Sequence, residues 1–207
     1  MYKIDSRILG MVGTNCYLLC NMDIKECVLI DPADSQDEIS RMIDESGCSL
    51  KGILLTHGHF DHATGAGELA HLLHIKIYAQ EKEKETLENP QLNLSGWQGS
   101  ELVFYADEYL KDEQEIDLAG FHIRVFLTPG HTVGGCCYYF PYQNTLFSGD
   151  SLFQTSIGRT DFPKGSASQL IHAIREKLMP LPDETAVYTG HGDMTTIGTE
   201  RMYNPYL

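Results

Sequence analysis

The chain has 207 residues, of which 42% are hydrophobic and 21% are charged, as in ordinary globular proteins. Its formal net charge is −14 and its lysines and arginines are scattered, so a nucleic-acid-binding surface is not expected. No apolar run approaches the length that spans a bilayer, so no membrane partner is expected either.

The N-terminus and the cysteines indicate a cytoplasmic protein. The first residues are charged and lack the apolar stretch of a secretory signal. Six cysteines, at positions 16, 20, 27, 48, 136 and 137, form no Cys-x-x-Cys pair and no regular framework. This usage fits a reducing compartment. A matrix or plastid form trimmed of its transit peptide is the alternative.

In the first half, short apolar runs alternate with helical segments. Strands are predicted at Tyr2–Leu9, Tyr17–Cys20, Cys27–Ile30, Gly52–Leu55 and Ile75–Ala79. Helices are predicted at Ser35–Glu45, Ala63–Leu73 and Glu81–Glu88. Ser35 is the expected N-cap of the first helix, because Glu38 stands at the capping-box position.

The second half is richer in strands. They are predicted at Glu115–Leu118, Phe121–Leu127, Cys136–Phe140, Thr145–Phe147 and Ala186–Tyr188. One clear amphipathic helix is predicted at Ala167–Met179. Strands flanked by helices in both halves indicate sheets covered by helices, and the length suits one core, so a single domain over residues 1–207 is expected.

Four apolar strand ends share one local pattern, in which a hydroxyl residue leads to a histidine or an aspartate. They are Leu54–His57, Leu127–His131, Leu146–Asp150 and Val187–His191. Ligand-binding residues of layered α/β folds tend to lie just beyond strand ends. Four such ends that supply only histidine and aspartate therefore predict one shared site.

The first of these ends continues into a dense run of donors, His57-Gly58-His59-Phe60-Asp61-His62. Together with the three later strand ends this gives seven candidate metal ligands: His57, His59, Asp61, His62, His131, Asp150 and His191. A catalytic zinc ion usually takes three protein ligands and keeps one position open. Seven donors therefore suit two ions, with Asp150 as the natural bridge. The other histidines, at 71, 74, 122 and 172, are interpreted as surface or structural residues.

This ligand series resembles the metallo-β-lactamase superfamily, and its full set of seven is similar to the glyoxalase II (hydroxyacylglutathione hydrolase) branch. The resemblance extends from Thr14-Asn15-Cys16-Tyr17-Leu18 to Asn204-Pro205. It implies an α/β fold, a four-layer αββα sandwich of two mixed β-sheets flanked by helices. It also implies a first ion on His57, His59 and His131. The second ion would lie on Asp61, His62 and His191, with Asp150 between the two.

The chemistry implied by the resemblance is hydrolysis by a metal-bridging hydroxide, which Asp61 would orient. A metal-bound water can have a pKa near about 7, so no strong protein base is needed. The expected cofactors are two divalent ions, zinc first, although the ligand set also suits iron or manganese. The expected substrate is a small thioester linked to glutathione, such as S-lactoylglutathione.

One departure from the family concerns substrate binding. Full-length glyoxalase II proteins carry a C-terminal helical domain that grips glutathione, and the expectation here is that this domain is missing. Arg159 is a candidate for binding a substrate carboxylate, and an ion pair with Asp161 is the alternative. Asp31 resembles a residue that orients a metal-bound histidine, and a plain turn at Asp31-Pro32 is equally compatible.

Two other functions stay open at this point. Segment 158–162 also resembles persulfide dioxygenases, which hold a single iron at the positions of His57, His131 and Asp150. A non-enzymatic metal-binding protein of the same fold is the other alternative, although its ligand set would be expected to degenerate. A β-lactamase is less expected because a secretory signal is lacking. The sequence does not predict the oligomeric state.

Overall fold

The structure is a computed structural model that describes residues 1–34 and 36–207, so the predicted N-cap Ser35 lies outside the described residues. Two six-stranded sheets form its centre. The first sheet contains, in spatial order, β1 (Tyr2–Leu9), β2 (Thr14–Asn21), β3 (Glu26–Ile30), β4 (Ser49–Leu54), β5 (Lys76–Gln80) and β6 (Glu108–Leu110). Its first three strands are antiparallel and β3 to β6 are parallel, so the sheet is mixed.

The second sheet is built from the second half of the chain. Its six strands are β7 (Glu115–Leu118), β8 (Phe121–Leu127), β9 (Cys136–Phe140), β10 (Thr145–Gly149), β13 (Ala186–Thr189) and β14 (Thr195–Thr196). A separate small hairpin, β11 (Leu152–Phe153) and β12 (Ser156–Ile157), lies between β10 and β13 in the sequence. The spatial order is β14-β13-β10-β9-β8-β7. β10 and β13 are parallel and the other pairs are antiparallel, so this sheet is mixed as well.

Six α-helices accompany the sheets in the described residues. They are α1 (Gln36–Ser46), α2 (Phe60–Ala63), α3 (Ala66–Leu73), α4 (Lys84–Glu88), α5 (Ala167–Ala173) and α6 (Ile197–Tyr203). A π-helical turn, Ile174–Leu178, continues α5, and short 3₁₀ turns lie at Glu81–Glu83, Ser95–Gln98 and Pro141–Gln143. None of the described helices has the length and apolarity that crossing a bilayer requires.

Three buried clusters define four layers. Between the two sheets, Leu19 and Ile30 of the first pack with Ile123 and Phe147 of the second. The other face of the first sheet is covered by α1 and α3, and the other face of the second sheet by α5 and α6. Because strand side chains alternate in direction, each sheet feeds both an inner and an outer core. The predicted αββα sandwich is confirmed.

One predicted helix is divided in the structure. The sequence predicted a continuous helix at Ala63–Leu73, whereas α2 ends at Ala63 and α3 begins at Ala66. The Gly65 amide donates to the Pro32 carbonyl at 2.8 Å instead of continuing the helix. A Cβ at Gly65 would lie 2.8 Å from the same oxygen, so this close approach requires glycine. The break is caused by a contact with a loop that is distant in the sequence. The local pattern of apolar residues therefore does not predict it.

Candidate metal centre

All seven predicted donors lie at one edge of the sandwich, where strands of both sheets end. His57, His59, Asp61 and His62 follow β4 of the first sheet, and the last two lie in α2. His131, Asp150 and His191 follow β8, β10 and β13 of the second sheet. The donors form three overlapping groups, each with ligand atoms within 4.8 Å of one another. The structure therefore brings together all seven residues.

The first group consists of His57, His59 and His131. His59 Nδ1 lies 3.0 Å from His57 Nε2 and 3.0 Å from His131 Nε2, and all three side chains are buried. Nitrogens about 2.0–2.1 Å from one tetrahedral zinc ion lie about 3.3 Å apart. Three ring nitrogens converge here on one point at nearly that spacing.

The second group consists of Asp61, His62 and His191. His191 Nε2 lies 3.4 Å from His62 Nε2 and 3.4 Å from Asp61 Oδ2, and His62 Nε2 lies 3.5 Å from the same carboxylate oxygen. His191 remains one-quarter exposed, so this group is more exposed than the first. Two imidazoles and a carboxylate are a donor set that zinc, iron and manganese all accept.

Asp150 lies between the two groups. Its Oδ2 is 3.4 Å from His131 Nε2 and 3.6 Å from His191 Nε2, and its Oδ1 is 3.5 Å from His62 Nε2. Oδ1 is buried and accepts no hydrogen bond from any residue that the structure describes. A buried carboxylate oxygen without a donor is strongly unfavourable unless a cation compensates it. This orphaned oxygen shows that the cluster fits bound metal.

The charges of the cluster favour ligation at the first group. Burial, together with neighbouring histidines, lowers the pKa of His57 and His59 well below the usual value, and burial also lowers that of His131. These rings are therefore neutral at pH 7, with a lone pair available for an ion. Metal binding there displaces no proton.

In the second group, the pKa of a histidine is raised rather than lowered. Burial lowers the pKa of His62, but Asp61 and Asp150 more than offset this and raise it to about 10. Burial raises the pKa of Asp61, whereas His62 and His191 lower it to below its usual range. Without an ion, this group therefore holds a protonated His62 beside the ionised carboxylate of Asp61. A cation that binds there replaces that proton.

Hydrogen bonds behind three of the histidines fix which nitrogen faces the centre. His62 Nδ1 lies 2.9 Å from Asp31 Oδ2, and His131 Nδ1 lies 2.7 Å from the Arg159 carbonyl. His191 Nδ1 lies 3.3 Å from the carbonyl of Gly13. When Nδ1 donates its proton to such an acceptor, Nε2 keeps its lone pair for the ion.

Asp31 occupies the position expected of a residue that orients a ligand. Its carboxylate also accepts hydrogen bonds from the Thr56 amide at 2.8 Å and the Thr56 hydroxyl at 2.6 Å. Its backbone has φ of 50°, a conformation that L-residues rarely adopt and that surrounding contacts must maintain. These contacts fix the carboxylate directly behind His62.

Glu83 is a supporting residue that the sequence did not single out. It is fully buried and accepts hydrogen bonds from the Gly58 amide at 2.9 Å, the Thr132 hydroxyl at 3.0 Å and the Gly134 amide at 2.7 Å. A Cβ at Gly134 would lie 2.2 Å from the Glu83 amide nitrogen, so the two segments are in direct contact. Glu83 thereby joins the loop of His57 and His59 to the loop of His131.

A cleft of about 720 Å³ leads from solvent to the donors. Arg159 lines it, but its guanidinium is paired with Asp161 through two hydrogen bonds of 2.7 Å and stacks 4.2 Å from the centre of the Phe162 ring. Of the two roles considered for Arg159, this arrangement is the ion pair that shapes the loop. Contact with a substrate carboxylate stays a prediction.

Comparisons with known proteins agree with this centre. The sequence model of the metallo-beta-lactamase superfamily matches residues 9–191. The hydroxyacylglutathione hydrolase GloC of Haemophilus influenzae is 39% identical over 197 residues, which cover 93% of this chain and 92% of that protein.

Two solved structures are similar over their whole length. The B3 metallo-beta-lactamase BLEG-1 has a TM-score of 0.94 and 39% identity, with 99% of each chain covered. The protein TTHA1623, solved in a di-iron-bound form, has a TM-score of 0.85 and 32% identity, with 98% of this chain and 100% of that chain covered.

Proposed function

The chain belongs to the metallo-beta-lactamase superfamily, and on this premise we propose that it is a thioester hydrolase of the glyoxalase II type that uses two divalent ions. S-lactoylglutathione or a related glutathione thioester is the proposed substrate, and the cytoplasm the proposed location. The observation that carries the proposal is the set of seven donors around the unpartnered Oδ1 of Asp150.

We assign the ligands by their distances. His57, His59 and His131 would hold the first ion, and Asp61, His62 and His191 the second. Asp150 reaches both groups, because Oδ2 lies within 3.6 Å of a nitrogen of each. Zinc is the first candidate because three-ligand sites with an open position suit it, and iron is the second because similar TTHA1623 was solved with two irons.

Divalent ions bound there would supply a Lewis acid for the scissile carbonyl and an acidified water as nucleophile. The chain's own residues would position the reaction. Asp61 Oδ2 accepts a hydrogen bond from the Thr14 hydroxyl at 3.0 Å, and its low pKa keeps it ionised at neutral pH. We assign to this fixed oxygen the orientation of the attacking water. Asp31 would orient His62 through Nδ1.

A second candidate activity is β-lactam hydrolysis. The similarity to BLEG-1 favours it, since that relative is described as a B3 metallo-beta-lactamase. Both reactions attack an acyl carbon, so one centre serves either. The similarity to GloC favours the thioester, and we therefore rank it first.

Parallel assays of one metal-loaded preparation test these functions. We expect hydrolysis of S-lactoylglutathione, detected by release of the free thiol, at a higher kcat/KM than for a panel of penicillins and cephalosporins. Oxygen uptake with glutathione persulfide tests the single-iron alternative. Absence of hydrolysis for all glutathione and coenzyme A thioesters would overturn the proposal, and faster turnover of the β-lactams would replace it with the second candidate.

Metal content tests the two-ion assignment directly. We expect about two ions per chain after reconstitution with zinc, because the two donor groups each provide three ligands besides Asp150. Elemental analysis of the dialysed protein gives the number. A plateau at one ion per chain with excess zinc would contradict the assignment.

The two ions should also differ in how their affinity depends on pH. Ion binding at the second group displaces the proton of His62, whose pKa is about 10 without metal. It also displaces part of a proton from His191, whose pKa is raised, despite burial, by Asp61 and Asp150. Affinity should therefore rise by about tenfold or more per pH unit between pH 6.5 and 8.5. The pKa values of His57, His59 and His131 are lowered, so the first ion should show no such rise above about pH 6.5. Competition with a zinc chelator, corrected for its own protonation, measures both slopes. Equal slopes would contradict the prediction.

A further inference from the structure

The walls of the cleft above the donors are mostly apolar. Aromatic side chains dominate them, with Trp97 and Phe162 on one side and Phe153 near the second donor group. The other apolar residues that line the cleft are Val12, Phe60, Leu94 and Ile157. An apolar cleft of this size is sufficient for a substrate group much larger than a lactoyl group.

The aromatic wall begins at the metal donors themselves. The Phe162 ring lies 5.3 Å from the His59 ring and 5.7 Å from the His131 ring, centroid to centroid, and packs edge-on against both. The Trp97 ring lies 5.8 Å from Phe162 and remains 59% exposed at the mouth of the cleft. The wall therefore runs without interruption from the donors to solvent.

A second aromatic side chain borders the other donor group. The Phe153 ring lies 6.3 Å from the His191 ring. A carbonyl that reaches the donors therefore has its substituents between Phe162 and Phe153. The chemistry of these walls determines which substituents are favoured.

The cleft has no free cation among its described lining residues. Arg159 is the one lysine or arginine there, and both Nε and Nη2 are bonded to Asp161. The proposed ions offset the carboxylates of Asp61 and Asp150. The walls themselves then carry only the paired charges of Arg159 and Asp161, which nearly cancel. They offer little attraction to an acidic group beside the carbonyl, and the aromatic side chains favour an apolar one.

We propose that the cleft binds an apolar aliphatic or aromatic group joined to the scissile carbonyl, so that thioesters of apolar acids are preferred over lactoyl thioesters. This inference rests on the proposed thioester hydrolysis. Each methylene buried against the walls should improve affinity by up to about fourfold. Trp97 and Phe162 are the residues assigned to this selectivity.

Trp97 provides the readout, because it is the only tryptophan of the chain and stands in the wall under test. The probes are S-methyl-, S-butyl- and S-hexylglutathione, thioethers that bind without being hydrolysed. Titration of the metal-loaded protein by tryptophan fluorescence gives their Kd values. We expect S-hexylglutathione to bind at least about tenfold more tightly than S-methylglutathione. Equal affinity for the three probes would overturn the inference.

Variants test which residues cause the preference for the hexyl probe. Phe162→Ala should remove most of the preference for the hexyl probe, whereas Phe162→Leu, which keeps apolar volume, should retain it. Tyr142→Ala is the matched control, because this exposed aromatic residue follows β9 at the end that is remote from the donors. An unchanged hexyl preference in folded Phe162→Ala would overturn the assignment, and so would a loss in Tyr142→Ala as large as that in Phe162→Ala.

Turnover separates this inference from the proposed function. A hexyl preference in binding without hydrolysis of any thioester would overturn the proposed function alone. Hydrolysis of S-lactoylglutathione with equal binding of all three probes would overturn the inference alone. If the proposed function and the inference are both correct, kcat/KM for hexanoylglutathione should exceed that for lactoylglutathione. Trp97→Ala should reduce the ratio of these two kcat/KM values by at least about threefold.

Discussion

Replacement of His191 by alanine is expected to remove one ion per chain and to lower thioester hydrolysis by more than about 100-fold. His191 belongs to the second donor group alone, with Nε2 3.4 Å from both His62 Nε2 and Asp61 Oδ2. Loss of an outer residue that only orients a ligand already costs about 10–100-fold in activity or affinity, so loss of a ligand should cost more. Metal analysis and thiol release, measured on one preparation, test both effects.

Two control variants make this result decisive. His57→Ala should disrupt the first group in every version of the centre, whereas His172→Ala, an exposed histidine of α5, should change neither metal content nor rate. A single-iron dioxygenase held by His57, His131 and Asp150 would keep its iron in His191→Ala. Retained iron with oxygen uptake at near wild-type rate would therefore overturn the hydrolase proposal.

Glu83→Ala is expected to lower the free energy of unfolding by about 3 kcal/mol and to weaken metal binding. The change leaves three donors, the Gly58 and Gly134 amides and the Thr132 hydroxyl, without their acceptor. Each buried donor without a partner costs about 1–3 kcal/mol, and partial access of water reduces the sum. Because these donors flank His57, His59 and His131, the first group should lose its alignment. Urea denaturation of the metal-free protein and zinc titration measure the two effects.

Two further variants test whether the loss comes from the buried hydrogen bonds of Glu83 or from a general weakening of the helical segment. Glu85→Ala, an exposed residue in α4 that pairs with Lys164, should cost no more than about 1 kcal/mol. Glu83→Gln keeps one acceptor oxygen and should fall between the wild type and Glu83→Ala. Wild-type zinc affinity in a destabilised Glu83→Ala would show that Glu83 supports the fold without aligning the ligands.

The seven donors could be predicted because their signals are local. Four lie within six residues, and His131, Asp150 and His191 each follow an apolar strand with a hydroxyl residue and a glycine before the ligand. Strand ends of one layered fold meet at one edge, so spacing and residue type were sufficient to predict that the seven side chains lie together. Their role as metal ligands stays a proposal. The αββα layering followed from the resemblance that these residues carry.

Other features depend on long-range contacts that no local sequence pattern predicts. Glu83 is one of several glutamates in a short helical segment, and its partners lie 25 to 51 positions away. The break before α3 comes from a contact between Gly65 and Pro32. Trp97 and Phe162 are separated by 65 residues in a chain without a repeat, and only the fold brings them to one wall. Such long-range neighbours leave no pattern in a single sequence.

With the proposed ions bound, the division of the donors between the sheets would tie the lifetime of the protein to its metal supply. Each proposed ion takes ligands from both halves of the chain, so separation of the two sheets would break both groups at once. An ion that binds only the closed sandwich stabilises it by about 4 kcal/mol when its free concentration is a thousandfold above Kd. Chains made during metal starvation would lack this stabilisation and would open more often to proteases. Cellular abundance of the protein would then follow metal availability.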